Sequence, residues 1–227
     1  MNSFRSIVLD DRGKSLRRVA GCGLIKAGRK YPAVTTGGVL VLVLVLISCL
    51  FCGRPGPPAV VIQTELGDIT AEIDTLKAPI TGSHFLSLVE QGIYQDALFY
   101  RVVRMDNQPD DRIRIEVIQG GLLEDEKVDS HPSIEHETTE LTGIRHTHGV
   151  ISMARNEPGS ASTEFFICIG DQPELDFGGA RNPDRQGFAA FGKVIEGMEV
   201  VKTIQTLPDS GQMLIDPVRI LNIRRIR

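Results

Sequence analysis

Histidine and cysteine are the most familiar reactive side chains, and here their spacing supports little chemistry. His146 and His148 are expected on one face of a strand, as in a metal site, but no cysteine accompanies them, so we predict no metal. Cys49 and Cys52 have the spacing of a redox pair but lie in an apolar run, and Cys168 is predicted to be a small buried hydrophobe. Residues 55–227 contain no phosphate-binding loop, dinucleotide fingerprint or serine nucleophile elbow. We therefore expect no cofactor.

A different set of residues, spread over four segments, carries a recognisable pattern. The segments are FYRVV at 99–103, VIQGG at 117–121, GVISMAR at 149–155 running on through GSA at 159–161 to FFI at 165–167, and FGKVIEGM at 191–198. Together, and in this order, they resemble the cyclophilin family of peptidyl-prolyl cis-trans isomerases over about residues 60–227. The resemblance implies an enzyme that acts on proline-containing unfolded polypeptides.

Rotation about an X–Pro amide explains why such an enzyme needs a fixed cation. The amide loses conjugation as it twists, over a barrier of about 20 kcal/mol, and its nitrogen then becomes a better hydrogen-bond acceptor. A cation beside that nitrogen favours the twisted state over either planar isomer. By resemblance the cation is Arg101, a rigid donor that stays protonated. Without its flanking segments, Arg101 would be interpreted as an ordinary charge at a strand edge.

The family's pocket positions imply the rest of the site. The catalytic residues implied are Arg101, Gln119 and Phe166. The substrate-binding residues implied are Val117, Ala154, Arg155, Glu164, Leu175 and Phe188. Strand alternation puts Val117 and Gln119 on one face, consistent with a shared groove. Read alone, Phe166 would be a barrel core residue.

Four positions depart from the residues that the family often has. Glu116 replaces an aromatic, Glu164 a glutamine, Glu174 a tryptophan and Phe188 a histidine, which predicts a thinner apolar floor and a more acidic rim. We expect Glu164 to form a bidentate pair with Arg101 that offsets part of its charge, so that Glu164→Gln raises kcat/KM by about two- to tenfold. The acidic substitutions leave open an alternative, a proline-peptide binding module with the same fold and little catalysis.

Strands must position these residues. Strands are predicted at 60–64, 68–73, 98–105, 112–118, 149–154, 164–169, 189–195 and 218–226, with helices at 79–91 and 198–206. This pattern predicts a mainly β fold, a closed antiparallel eight-stranded barrel with two capping helices. Residues 106–115 are predicted to extend the hairpin that carries Arg101, as a lip over the groove or as a surface elaboration.

Charge divides the chain of 227 residues into two parts. Residues 1–54 hold nine basic and two acidic side chains, a charge of +7, whereas the remainder holds 16 and 27, a charge of −11. An acidic domain lacks the basic surface that neutralises phosphates, so nucleic acid is not an expected partner. The domain is expected to be a monomer.

An apolar segment follows the basic leader at residues 1–30. Residues 31–53 carry no charge, and 39–51 is a dense apolar run, so the segment is a membrane anchor or a signal peptide. The leader is predicted to stay cytoplasmic and the domain at 60–227 to lie on the extracytoplasmic, periplasmic side, tethered through the stiff Pro/Gly linker 54–59. LISC at 46–49 resembles a lipobox, so either lipidation at Cys49 or an uncleaved helix is consistent with the sequence.

Overall fold

The computed structural model describes residues 56–109 and 112–227. The expectations for the basic leader, the apolar segment 31–53 and Cys49 lie outside the described residues. In the described ranges, no helix is both long enough and apolar enough to cross a membrane. The first strand begins at Ala59, directly after the glycine and prolines at 56–58.

Antiparallel strands close into a barrel. The strands in the described ranges are β1 (Ala59–Thr64), β2 (Gly67–Ile73), β3 (Ala97–Val103), β4 (Val117–Gly121), β5 (Val150–Met153), β6 (Phe165–Cys168), β7 (Ala189–Glu196), β8 (Asp209–Ser210) and β9 (Met213–Arg225). Their order around the barrel is β1-β2-β7-β5-β6-β4-β3-β9, and β1 pairs with β9 to complete the ring. The two-residue strand β8 pairs with the start of β9. The predicted closed eight-stranded antiparallel barrel is confirmed.

The hairpin of β1 and β2 shows how the sequence sets the register. Ile62 faces Ile69 across the hairpin, and both side chains are fully buried. Gly67 adopts a φ of 136°, and the Thr64 hydroxyl donates to its carbonyl at 2.7 Å, so the tight turn needs glycine there.

Helices cover the barrel core. The described ranges contain α1 (Pro79–Glu90), α2 (Asp125–Asp129), α3 (Thr139–Thr142) and α4 (Met198–Gln205), and a single 3₁₀ turn at Pro173–Leu175. Phe85 of α1 and Val201 of α4 pack into the same core as the strands, so the two predicted capping helices are confirmed. The three short helical segments were not predicted from the sequence, because three to five residues are too few to show a helical period.

The segment between β3 and β4 differs from the prediction. The hairpin is not extended, because β3 ends at Val103 and β4 starts at Val117. The buried amide of Gln108 takes the place of strand pairing: its Nε2 donates to the carbonyls of Arg104 (2.6 Å) and Ile115 (2.8 Å), and its Oε1 accepts from the N–H of Ile115 (3.2 Å). A side chain thus satisfies backbone groups that a ladder would have paired.

Two apolar clusters lie on opposite faces of the barrel wall. On β4 and β6, Ile118 and Ile167 point into the barrel core. Their neighbours Val117, Phe166 and Cys168 belong to a second, outer cluster. Cys168 is fully buried there, as predicted, and burial raises the pKa of its thiol above the usual range. The outer cluster forms the floor of the site described next.

Candidate functional site

A cavity of about 400 Å³ opens over the outer cluster. It is lined by residues from β3, β4 and β6 and from the loops around them. All nine side chains implied as site residues line it: Arg101, Val117, Gln119, Ala154, Arg155, Glu164, Phe166, Leu175 and Phe188. Residues separated by up to 87 positions therefore meet in one groove, although the role of each stays a prediction.

Phe166 forms the centre of the apolar floor. It is 4% exposed, and Phe188 meets it edge to face, with ring centroids 5.2 Å apart at an interplanar angle of 88°. Val117 and Leu175 pack beside it in the same cluster. A closely packed apolar floor of this kind suits a small apolar ring such as that of proline.

His146 supports Phe166 on its buried side. The two rings stack with centroids 5.9 Å apart at 16°. Nδ1 of His146 lies 2.8 Å from Asp176 Oδ1, and Nε2 lies 3.0 Å from the hydroxyl of Ser152. The hydrogen-bonded series Ser152, His146, Asp176 has the order of a catalytic triad. All three residues are at least 96% buried, so a substrate cannot reach the serine. The triad-like chain therefore positions Phe166.

The two neighbouring histidines are separated in the fold. They lie in the loop before β5 rather than on a strand, and Nδ1 of His148 accepts the N–H of Gly170 at 2.9 Å, away from His146. In the part of the chain that the structure describes, no three or more His, Cys, Asp or Glu side chains are grouped to hold a metal ion.

Two glutamine side chains hold the Arg101 guanidinium. Nη1 donates to Oε1 of Gln119 at 2.9 Å. On the other side, Nε and Nη2 both donate to Oε1 of Gln212, at 3.1 Å and 2.6 Å. Both glutamine amides are neutral, so these hydrogen bonds fix the plane of the cation and cancel none of its charge. The half-buried guanidinium lies at the wall of the cavity beside the Phe166 floor.

Tyr100 also lines the cavity, although strand alternation counted from Arg101 would send it inward. A β-bulge explains this: the register of β3 against β4 shifts between Phe99 and Arg101, which leaves Tyr100 as the extra residue. A bulge re-aims a side chain, so two consecutive residues reach the same side of the sheet. The Tyr100 hydroxyl then accepts a hydrogen bond from Nε2 of Gln119 at 2.7 Å.

Glu164 lies in the cavity but is held differently from the prediction. Its Oε2 accepts from the Tyr100 hydroxyl at 2.5 Å, and its Oε1 accepts from the backbone N–H of Leu122 at 2.6 Å. The predicted bidentate pair with Arg101 is wrong, because both carboxylate oxygens are engaged by these donors. Gly121 makes the approach possible, since a Cβ there would lie 2.2 Å from Oε1.

Burial dominates the electrostatics around Glu164. It raises the pKa of this carboxyl, and the hydrogen bonds from Tyr100 and Leu122 only partly oppose the shift. Burial, with the nearby Glu164 charge, also raises the pKa of Tyr100, so the phenol stays protonated and acts as the donor.

Arg155 is a buried side chain rather than an exposed charge at the rim of the cavity. Its side chain is 1% exposed and makes a bidentate pair with Asp184, with both distances 2.9 Å. Nε donates to the carbonyl of Gly187 at 2.8 Å, and the guanidinium lies 5.2 Å from the centre of the Phe188 ring. Arg155 thereby fastens the loop that carries Phe188 against the floor.

The acidic departures do not all reach the groove. Glu164 lines the cavity together with Asp125 of α2, whereas Glu116 and Glu174 are not among its lining residues. The Glu174 carboxylate instead accepts the N–H of Ala180 at 2.8 Å. Among the residues that the structure describes, the acidic rim predicted from three glutamates is thus reduced to Glu164, with Asp125 added by the fold.

Two residues of the site were not predicted from the sequence. Tyr100 stood beside Arg101, but only a bulge could place both neighbours in the groove, and a bulge leaves no signal in the alternation of these strands. Gln212 is 111 residues from Arg101 and lies in the turn between β8 and β9 with a φ of 76°. Gly211, with a φ of 59°, marks the turn itself, but nothing in the local sequence gives Gln212 a partner in the groove.

An antiparallel barrel with an arginine clamped beside an outer apolar pocket defines the class of protein. Residues 59–225 match the family model for cyclophilin type peptidyl-prolyl cis-trans isomerases. The chain therefore belongs to the cyclophilin family and is a peptidyl-prolyl cis-trans isomerase.

Individual relatives agree with this assignment. A peptidyl-prolyl cis-trans isomerase of Acinetobacter baylyi is 31% identical over 201 residues, covering 86% of this chain and 95% of its own length. Peptidyl-prolyl cis-trans isomerase B of Escherichia coli is 33% identical over 64% of this chain and 83% of its own. A cyclophilin type isomerase from Cryptosporidium parvum has the same fold, with a TM-score of 0.60 at 23% identity over 75% of this chain and 98% of its own.

Proposed function

We propose that Arg101 accelerates isomerisation by stabilising the twisted prolyl amide while the proline ring rests on Phe166. One observation carries the proposal: the guanidinium is clamped by two neutral amides at the edge of the apolar floor. A cation held by these bonds keeps its direction. Stabilisation of the transition state requires this, because the donor must already point at the nitrogen when conjugation is lost.

The chemistry needs selective stabilisation of one geometry. In either planar isomer the prolyl nitrogen shares its lone pair with the carbonyl and accepts hydrogen bonds poorly. Only the twisted amide presents a localised lone pair, so a donor at that position strengthens its contact in the transition state and lowers the barrier. Val117 and Leu175, packed beside Phe166, support the slot that holds the ring while the rest of the peptide rotates.

The alternative, a proline-peptide binding module with little catalysis, drew support from the acidic substitutions Glu116 and Glu164. Glu116 does not line the cavity, and Glu164 bonds to Tyr100 and Leu122 rather than to Arg101, which weakens that support. A protease-coupled assay of the full-length chain in detergent micelles, with an Ala-Pro-Phe reporter peptide, distinguishes the two functions. We expect catalysed isomerisation. Saturable peptide binding without acceleration over the uncatalysed rate would establish the binding module instead.

We also propose that the isomerase is tethered to a membrane and assists the folding of extracytoplasmic proteins. The support is in the sequence: 23 uncharged residues at 31–53 follow a leader that holds eight of the nine basic residues of the first 54. Cell fractionation with protease protection tests the topology. Inside-out vesicles expose the cytoplasmic face of the membrane to added protease. Cleavage of the domain in intact inside-out vesicles would contradict the extracytoplasmic topology.

The mode of attachment has its own test. Cells grown with radioactive palmitate report acylation, and the Cys49→Ala variant is the matched comparison, with Cys52→Ala as a control in the same segment. Label that depends on Cys49 alone identifies a lipoprotein. Membrane association without label identifies an uncleaved helix.

A further inference from the structure

We propose that Glu164 is a positioning residue that acts on Arg101 through Tyr100 and Gln119, by setting the direction of the hydrogen bonds between them. This inference rests on the proposed role of Arg101 in isomerisation. It goes beyond that role because it assigns a function to an acidic side chain that never has to touch the substrate.

Four side chains form one unbranched chain of hydrogen bonds. Arg101 Nη1 donates to Gln119 Oε1 at 2.9 Å, and Gln119 Nε2 donates to the Tyr100 hydroxyl oxygen at 2.7 Å. The Tyr100 hydroxyl then donates to Glu164 Oε2 at 2.5 Å. Every bond points the same way, from the cation towards the carboxylate.

The two ends of the chain determine its direction. A guanidinium can only donate and a carboxylate can only accept, whereas an amide and a phenol can do either. Gln119 and Tyr100 are therefore adaptable links, and the ionised Glu164 forces the Tyr100 proton towards itself. This leaves the phenol oxygen to accept from Gln119 Nε2, so that Gln119 Oε1 must face Arg101.

A glutamine at position 164 would reverse the chain. The backbone N–H of Leu122 is a fixed donor, 2.6 Å from Oε1, and it needs an acceptor. The single amide oxygen of glutamine would serve Leu122, so the amide nitrogen would face Tyr100. The phenol would then accept from residue 164 and donate to Gln119, which turns the Gln119 amide nitrogen towards Arg101. Two donors would meet, and the guanidinium would lose its hydrogen bond to Gln119.

The expected effect of Glu164→Gln therefore has the opposite sign from the one expected of a direct ion pair. A direct pair would offset the positive charge, and its removal would raise activity. In the hydrogen-bond relay from Arg101 through Gln119 and Tyr100 to Glu164, removal of the carboxylate misdirects Gln119 and lowers activity. Protonation of Glu164 has the same consequence as the amide, because the oxygen facing Tyr100 becomes a donor.

Kinetics of four proteins test the relay: wild type, Glu164→Gln, Tyr100→Phe and the double variant. We expect Glu164→Gln to lower kcat/KM by about 3- to 30-fold, mostly through kcat. Because the effect passes through the phenol, adding Glu164→Gln to Tyr100→Phe should change kcat/KM less than about twofold. Glu196→Gln, at an exposed position of β7, is the matched control and should match wild type. Melting curves establish that each variant is folded.

The pH dependence of kcat/KM is a second readout. A carboxylate with only a structural role would not change it. Acidification should reduce wild-type kcat/KM, which gives an acid limb in the pH profile. This limb should lie at a higher pH than the titration of an ordinary glutamate, since burial raises the pKa of Glu164. The groups around it are the phenols of Tyr94 and Tyr100, the cations of Arg101 and Arg155, and the carboxylate of Asp125. The phenols and cations keep their protons in this range, and Asp125→Asn serves as the control for the other carboxylate that lines the cavity. The limb should persist in Asp125→Asn and disappear in Glu164→Gln.

The outcomes separate failure of this inference from failure of the proposed function. An active wild type with equal or higher kcat/KM in Glu164→Gln overturns the relay and leaves the role of Arg101 standing. If wild type does not accelerate isomerisation at all, the proposed function fails. The relay is then judged by NMR, from the side-chain amide signals of Gln119. We expect these signals to shift in Glu164→Gln and to titrate in wild type. Signals that respond to neither change overturn the relay.

Discussion

Gln212 accepts two hydrogen bonds from Arg101 with one atom, its Oε1, at 3.1 Å from Nε and 2.6 Å from Nη2. The turn that carries Gln212 is itself fastened. The carboxylate of Asp209 accepts the Gln212 backbone N–H at 3.0 Å and is paired with Arg104. The Gln212 amide nitrogen donates to the carbonyl of Asn107 at 3.3 Å. The direction of the cation is thus determined by a turn that is not part of the groove floor.

Removal of this clamp should impair turnover more than binding. We expect Gln212→Ala to lower kcat/KM by about 3- to 30-fold, or about 0.7–2 kcal/mol, chiefly in kcat, because the freed guanidinium samples unproductive directions. Steady-state kinetics with the proline reporter peptide measure the effect. Gln91→Ala, at the exposed end of α1, is the control. Wild-type kinetics in Gln212→Ala would show that Gln212 is not needed to direct the guanidinium.

Arg101 itself should be far more sensitive. Arg101→Ala should lower kcat/KM by about 10- to 1,000-fold, or about 1.4–4 kcal/mol, with an unchanged melting curve. Arg101→Lys should recover little, because an ammonium cannot donate to Gln119 and Gln212 in the fork geometry of a guanidinium. Full activity in a folded Arg101→Ala protein would remove this residue from the mechanism.

Arg155 should affect substrate binding by way of Phe188. Arg155→Ala deletes the pair with Asp184 and the bond to Gly187, so the loop loosens and the groove wall is no longer fixed. We expect KM to rise several-fold with a smaller change in kcat, and the free energy of unfolding to fall by about 1–3 kcal/mol. Arg219→Ala, which removes an exposed arginine from β9, is the matched control. A larger fall in kcat than rise in KM would contradict the assignment.

Acid should weaken the support beneath Phe166. Burial opposes ionisation of Asp176, but hydrogen bonds from the ring and backbone N–H of His146 outweigh it and hold the pKa of Asp176 below its usual range. A depressed pKa in the folded state stabilises the protein above the unfolded value of about 4, and this stability is lost as the pH falls through the folded pKa. Asp176→Asn should therefore cost about 1–3 kcal/mol at pH 7 and progressively less below pH 4.

Urea unfolding at several pH values measures this difference. The exposed Asp216 gives the matched control, Asp216→Asn, which should follow wild type at every pH. A stability difference between wild type and Asp176→Asn that stays constant from pH 7 to the acid range would show that the carboxylate acts through its shape rather than its charge.

The sequence by itself was sufficient to predict the barrel and most of the residues that line the groove. Alternation on β4 and β6 separates Ile118 and Ile167 from Val117 and Phe166, because successive side chains of a strand point to opposite faces. The two longer helices were evident for the same kind of reason, a local period bounded by proline and glycine. Family resemblance then supplied the nine groove residues, which the fold brings to one cavity.

The tertiary structure alone decided how the groove residues interact. A bulge turned Tyr100 outward, a turn at the far end of the chain supplied Gln212, and Gln108 replaced an expected ladder between β3 and β4. Glu164 was correctly expected in the groove, but its partners were not, because the missing Cβ of Gly121 and the free N–H of Leu122 drew its carboxylate to them. Periodicity specifies which face a side chain occupies. The direction of a hydrogen bond depends on which donors and acceptors the closed barrel brings within 3 Å, and those come from segments that are distant in sequence.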